Sequence, residues 1–150
     1  MKRNLGWSRN TAESKLKEAS FFLNLFRLAE TSEEQVYFLS AFLSAGRSLT
    51  AALEKRYRHS YSTWKSGSTN DERELLNLMT QERNDEIHEA GASRGVTICL
   101  PTLGTGSESD PATSFMTLKY KGKALPALPL CEEYLSLLRI AIDYVLPAQK

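Results

Sequence analysis

A chain of 150 residues, 41% hydrophobic and 25% charged, is long enough to bury one proper core and has the balance of an ordinary globular domain. The formal net charge of +1 excludes a bulk pull toward nucleic acid or acidic lipid, so any anion site has to be local. Cys99 and Cys131 lack metal-ligand spacing, and two reduced thiols in a cytosolic protein are preferred to a disulfide.

Met1 to Asn10 is polar and offers no apolar signal core. From about Thr11 to Glu30 the pattern turns helical: Leu16, Ala19, Leu23, Phe26 and Ala29 recur three or four apart, with Lys15, Lys17 and Glu18 outward. Phe21–Leu28 is apolar but short, and Asn24 and Arg27 interrupt it, so it cannot span a bilayer. A cytoplasmic protein with no membrane partner is expected.

Thr31 followed by Glu34 is a capping box, a hydroxyl for an orphan N–H and a carboxylate reaching back. It opens a second helix predicted over Ser32–Arg58. Val36, Leu39, Leu43, Thr50, Leu53 and Tyr57 form one row; Phe38, Phe42, Ala45, Leu49 and Ala52 form the next. So wide an apolar face implies neighbours on two sides, from this chain or another. Arg47 falls on the first row, beside Ser44, Ala45, Gly46 and Ser48, which let another backbone approach. Lys55, Arg56 and Arg58 complement the negative end of the helix.

His59 to Asn70 reads as a polar connection anchored by Tyr61 and Trp64. Cations interleaved with aromatics over Arg56–Lys65 can bind phosphates and stack bases. Helix-end and packing duties explain the same residues and take precedence, with Arg47, Arg56 and Arg58 kept as candidate RNA contacts.

Thr69 with Glu72 is another capping box, and Gly91 is a helix stop. Between them Leu75, Met79, Ile87 and Ala90 mark one face of a third long helix, with Arg83 on the same face. An arginine in an apolar stripe is costly unless its guanidinium has a partner. Past Gly91 the period changes. Val96–Leu100 is a β-type run ended by Pro101. Thr102–Thr113 is flexible by composition and resembles no phosphate loop. Ser114–Tyr120 alternates, and Lys121-Gly122 turns it into Lys123–Leu128, which Pro126 and Pro129 limit to an edge. A last helix begins near Leu130 and is apolar almost all round, with Tyr134, Leu138, Ala141 and Val145 in one row and Leu135, Leu137, Ile142 and Tyr144 widening it. The fold class is mainly all-α, a single domain over residues 1–150 with a small β excursion between the third and last long helices.

Arg83 and His88 lie five residues apart, about 140° and about 7.5 Å on an ideal helix, and Asn84 shares a face with His88. The set suits a phosphodiester. Arginine offers bidentate hydrogen bonds and a permanent charge, histidine exchanges a proton near neutrality, and asparagine orients either. A metal hydrolase is disfavoured: Asp85 and Glu89 flank His88, but His59 is the only other histidine and no HExxH occurs.

Arg83-Asn84-Asp85-Glu86-Ile87-His88 resembles the R-x4–6-H motif of the HEPN superfamily, in which a polar residue after the arginine is also typical. Tyr37 to Leu49 resembles the second helix of many HEPN proteins, and the likeness covers roughly Ser14 to Gly91. The resemblance implies an up-down bundle of four or more helices and a homodimer that joins two motifs. It implies a metal-independent endoribonuclease of toxin–antitoxin or phage-defence type, free of cofactors, with an antitoxin protein as a possible partner. His88 would be general acid/base for attack of a ribose 2′-OH on phosphate, Arg83 would stabilise the charged transition state, and Asn84 would orient them. The alternative is a non-catalytic HEPN-like module that binds a nucleotide or a protein partner.

Overall fold

The computed structural model describes residues 7–89, 94–99 and 113–148, with side chains described for 7–81 and 116–148. It is a helical bundle with a small antiparallel sheet. The helices are α1 (Arg9–Leu28), α2 (Ser32–Arg56), α3 (Arg58–Gly67), α4 (Asn70–Glu89) and α5 (Ala127–Val145). The strands β1 (Arg94–Cys99), β2 (Thr113–Tyr120) and β3 (Lys123–Pro126) lie between α4 and α5 and pair in the order β1-β2-β3.

Three of the long helices, α1, α2 and α4, start where their capping chemistry places them. Ser8 accepts from the Thr11 N–H to begin α1. Thr31 and Glu34 form the predicted box, the Glu34 N–H donating to Thr31 Oγ1 at 3.1 Å and the Thr31 N–H to the Glu34 carboxylate at 3.3 Å. The apolar rows then face one core. Ala12, Leu16, Ala19, Leu23 and Phe26 of α1 meet Leu39, Phe42, Leu43, Leu49 and Leu53 of α2, all buried. Truncating one such leucine to alanine costs about 2–5 kcal/mol.

α5 runs antiparallel to α1. Arg9 pairs with Asp143 at one end, and Arg27 with Glu132 at the other, at 2.6 and 2.7 Å. Leu130, Tyr134, Leu137, Leu138, Ala141 and Ile142 of α5 are buried. α2 contacts α1, α3, α4, α5 and β2, which bury Leu39, Phe42, Leu43, Ala45, Leu49, Thr50 and Leu53 of its two rows and leave Val36 at its start exposed. By length and composition α2 could cross a bilayer; its buried residues from Leu39 to Leu53 pack in the interior of the bundle.

Three expectations need correction. The second helix stops at Arg56 rather than Arg58, because Tyr57 leaves helical geometry (φ −126°, ψ 40°). The stretch expected as a connection, His59–Asn70, is mostly the helix α3. Tyr57, Tyr61 and Trp64 recur at helical spacing and put two aromatics in the core, Tyr61 and Trp64 being 4% and 8% exposed. The last helix begins at Ala127, three residues early. Pro129 is tolerated in its first turn because that N–H has no intrahelical acceptor.

The β excursion is present with shifted bounds: β1 opens at Arg94, two residues before the predicted run, and the last arm ends at Pro126 rather than Leu128, because Ala127 and Leu128 open α5. β1 and β2 pair from Arg94↔Leu118 to Cys99↔Thr113, and β2 and β3 from Thr117↔Pro126 to Tyr120↔Lys123. Lys121 and Gly122 both take positive φ, 51° and 77°, as a two-residue hairpin turn requires. Pro126 ends the edge strand, where its missing N–H is harmless. Met116 and Leu118 reach the helical core. The expected flexible stretch Thr102–Thr113 lies almost wholly outside the described residues, as does the helix stop at Gly91.

Candidate functional site

α4 carries the candidate catalytic residues, and its first half is firmly fixed. The Thr69 N–H donates to the Glu72 carboxylate at 2.8 Å, and the Glu72 N–H donates to Thr69 Oγ1 at 3.2 Å. Asp71 and Glu72 suit the positive end of the helix. Leu75, Leu76 and Met79 are buried against the core. Arg73 donates to the Ser66 and Ser68 carbonyls at 2.9 and 2.7 Å and so ties the end of α3 to α4. Lys121 pairs with Asp71 and Glu74, and the Tyr120 hydroxyl donates to the Asp71 carbonyl. These ion pairs raise the pKa of the Lys121 ammonium, the Asp71 hydrogen bond being the largest cause. The hairpin is thereby anchored to the start of α4.

Arg83, Asn84 and His88 all belong to α4, which is uninterrupted from Asn70 to Glu89. Their side chains lie outside the described residues, as does the rest of the stripe, Ile87 and Ala90. The helical backbone at these positions gives the expected spacing: about 7.5 Å and about 140° from Arg83 to His88, with Asn84 and His88 on one face.

The three candidate RNA contacts separate into two environments. Arg47 is half-buried and donates to Glu54 at 3.2 Å and to Thr50 Oγ1 at 3.4 Å. The partner that an arginine on an apolar row requires is thus a carboxylate two turns further along α2. Arg56 and Arg58 are exposed. Arg47 and Arg56 are nine residues apart on one helix, about 13.5 Å along and about 180° round, so one ligand group cannot meet both.

Beneath Arg47 lies a buried polar cluster that sequence reasoning missed. Tyr134, 1% exposed, packs edge-on against Phe42 with ring centroids 6.0 Å apart. Its ring lies against Gly46, whose lack of a Cβ admits it. The small residues around Arg47 therefore admit an aromatic ring from α5, not another backbone. Burial pushes the Tyr134 hydroxyl well above its usual pKa, while a Thr50 hydrogen bond opposes this. Burial likewise pushes Tyr61 up to about 12, aided by Glu54 and opposed by Arg47. Both phenols are neutral near pH 7 and serve packing. The signal for this cluster was a lone Gly in a helix and a Tyr in the central row of another.

Two surface clefts are lined by described residues. One, of about 380 Å³, lies between α3, the start of α4 and α5; Trp64 and Leu137 line it, with Ile140 and Tyr144 half-exposed at its side. The other, of about 640 Å³, lies between Arg9, Tyr57 and Leu146. There Arg9 is already paired with Glu13 and Asp143 and donates to the Leu146 carbonyl at 2.6 Å. Among the described residues no three His, Cys, Asp or Glu side chains converge as a metal site would need. No family model, curated protein or solved structure matches the chain.

Proposed function

We propose that the chain is a HEPN-like, metal-independent endoribonuclease that works as a cytoplasmic homodimer. The observation that carries the reading is the position of Arg83, Asn84 and His88 on one continuous, capped helix of a helical bundle. In this reading the His88 imidazole takes the proton of a ribose 2′-OH as the oxygen attacks the adjacent phosphorus. The 5′-oxygen leaves and receives a proton, and a 2′,3′-cyclic phosphate remains. Arg83 holds the non-bridging oxygens as their charge rises, and Asn84 orients the imidazole or the phosphate. A second copy supplies the matching motif and polar surroundings for Arg83. An antitoxin protein that covers the site fits the same reading.

A non-catalytic module binding a nucleotide or a protein is the second reading. It is favoured by Asp85, Glu86 and Glu89, which surround the motif with charge that repels an RNA backbone. RNA incubated with the protein in EDTA separates the two. Cleavage with cyclic-phosphate ends, lost in both His88→Ala and Arg83→Ala, supports the nuclease; cleavage unchanged in His88→Ala refutes the assignment.

A further inference from the structure

The stretch from Lys55 to Asn70 contains four Lys or Arg residues and no Asp or Glu, so the net charge of +1 leaves −3 for the rest of the chain. Its folding as a helix sorts it into two faces. Tyr61 and Trp64 enter the core, in contact with each other at 5.6 Å between ring centroids. Arg58, His59, Ser62 and Thr63 are all exposed, as are Lys55 and Arg56 at the adjoining end of α2.

Ion pairing does not account for these cations. Arg9, Lys15, Arg27, Arg47 and Lys121 each have a carboxylate partner. Among the described residues no carboxylate pairs with Lys55, Arg56 or Arg58. Helix dipoles account for only half of the group. Lys55 and Arg56 complement the negative end of α2, but Arg58 and His59 open α3, where exposed N–H groups favour acids. That first turn has no acidic residue and no side-chain cap. A helix start so poorly served for stability is well suited to an outside anion.

We propose that Lys55, Arg56, Arg58 and His59, with the hydroxyls of Ser62 and Thr63, form a docking surface for the phosphate backbone of RNA. The choice of RNA rests on the nuclease reading above. With Tyr61 and Trp64 turned inward, this face offers no stacking platform from either ring. It reads charge rather than bases, so binding is insensitive to sequence and steeply dependent on salt. Arg47, held by Glu54 on the opposite side of α2, takes no part.

The test uses the full chain carrying His88→Ala and a labelled 20-nucleotide single-stranded RNA, with binding measured across a salt series. Each phosphate contact on a single strand contributes about 0.7 to the slope of log K against log salt. The triple variant Lys55→Gln/Arg56→Gln/Arg58→Gln is expected to lower that slope by about 2 and affinity at 0.1 M salt about 100-fold. A control with Lys17→Gln/Lys119→Gln/Arg139→Gln, three exposed cations on other elements, is expected to keep the slope within about 0.5 of the parent. Arg58→Glu is expected to weaken RNA binding while melting no lower than the parent, which separates docking from a structural role. An unchanged slope in the first triple, an equal loss in the control, or polyglutamate competing as well as RNA at equal charge would overturn the proposal. Because cleavage is assayed separately with His88 intact, binding without cleavage defeats the nuclease reading alone. Cleavage with binding that ignores the triple defeats this inference alone.

Discussion

Gly46→Ala tests how tightly α2 and α5 interlock. A Cβ at position 46 would lie 2.7 Å from Tyr134 Cε1, 3.0 Å from its hydroxyl oxygen and 3.2 Å from Cζ. The ring has little room to retreat, being 1% exposed and wedged against Phe42. Overpacking of this kind costs about 2–3 kcal/mol, the upper part of the usual range. Alanine's better helix propensity returns about 1 kcal/mol. The net destabilisation is therefore about 1–2 kcal/mol, a fall in melting temperature of about 2–8 °C for a domain of this size. The decisive assay is a double-mutant cycle followed by circular dichroism. In a Tyr134→Leu background the clash is gone, and Gly46→Ala should stabilise by up to about 1 kcal/mol. If Gly46→Ala stabilises equally in both backgrounds, the close approach of the ring to the glycine is wrong.

Thr69→Ala removes the hydroxyl that opens α4 and should lower stability by about 1 kcal/mol, read as a lower urea midpoint; Thr69→Asp should restore most of it. Tyr61, held up to about 12 in the fold mainly by burial, ionises near 10 when unfolded. Its stabilising contribution is whole below pH 10 and lost as pH rises through 12. Alkaline unfolding should thus steepen over that window, and less so in Tyr61→Phe, as followed by circular dichroism.

The parts of the fold legible in the sequence are those set by local chemistry. The boxes at Thr31/Glu34 and Thr69/Glu72 start their helices where the residue types required. The rows through Leu16 and Leu23, and through Leu39 and Leu53, face the core as their spacing demanded. α3 escaped notice because RHSYSTWKSG is polar and uncapped. Its helical signal is three aromatics, at 57, 61 and 64, and in a polar stretch two of them serve equally well as loop anchors. The partner of Arg47 and the ring over Gly46 were not legible, since both depend on which helices meet. The candidate site is legible only as a spacing, Arg83 to His88, and the helix that carries it runs without a break.

In the proposed nuclease, His88 and Arg83 act together on a phosphodiester. Its most direct test is cleavage of a defined RNA by the purified protein in EDTA, with products analysed for their 3′ ends. The account predicts 2′,3′-cyclic phosphate termini, and loss of cleavage by a factor of about 100 or more in His88→Ala and in Arg83→Ala, each still folded. Cleavage that persists undiminished in His88→Ala would contradict it.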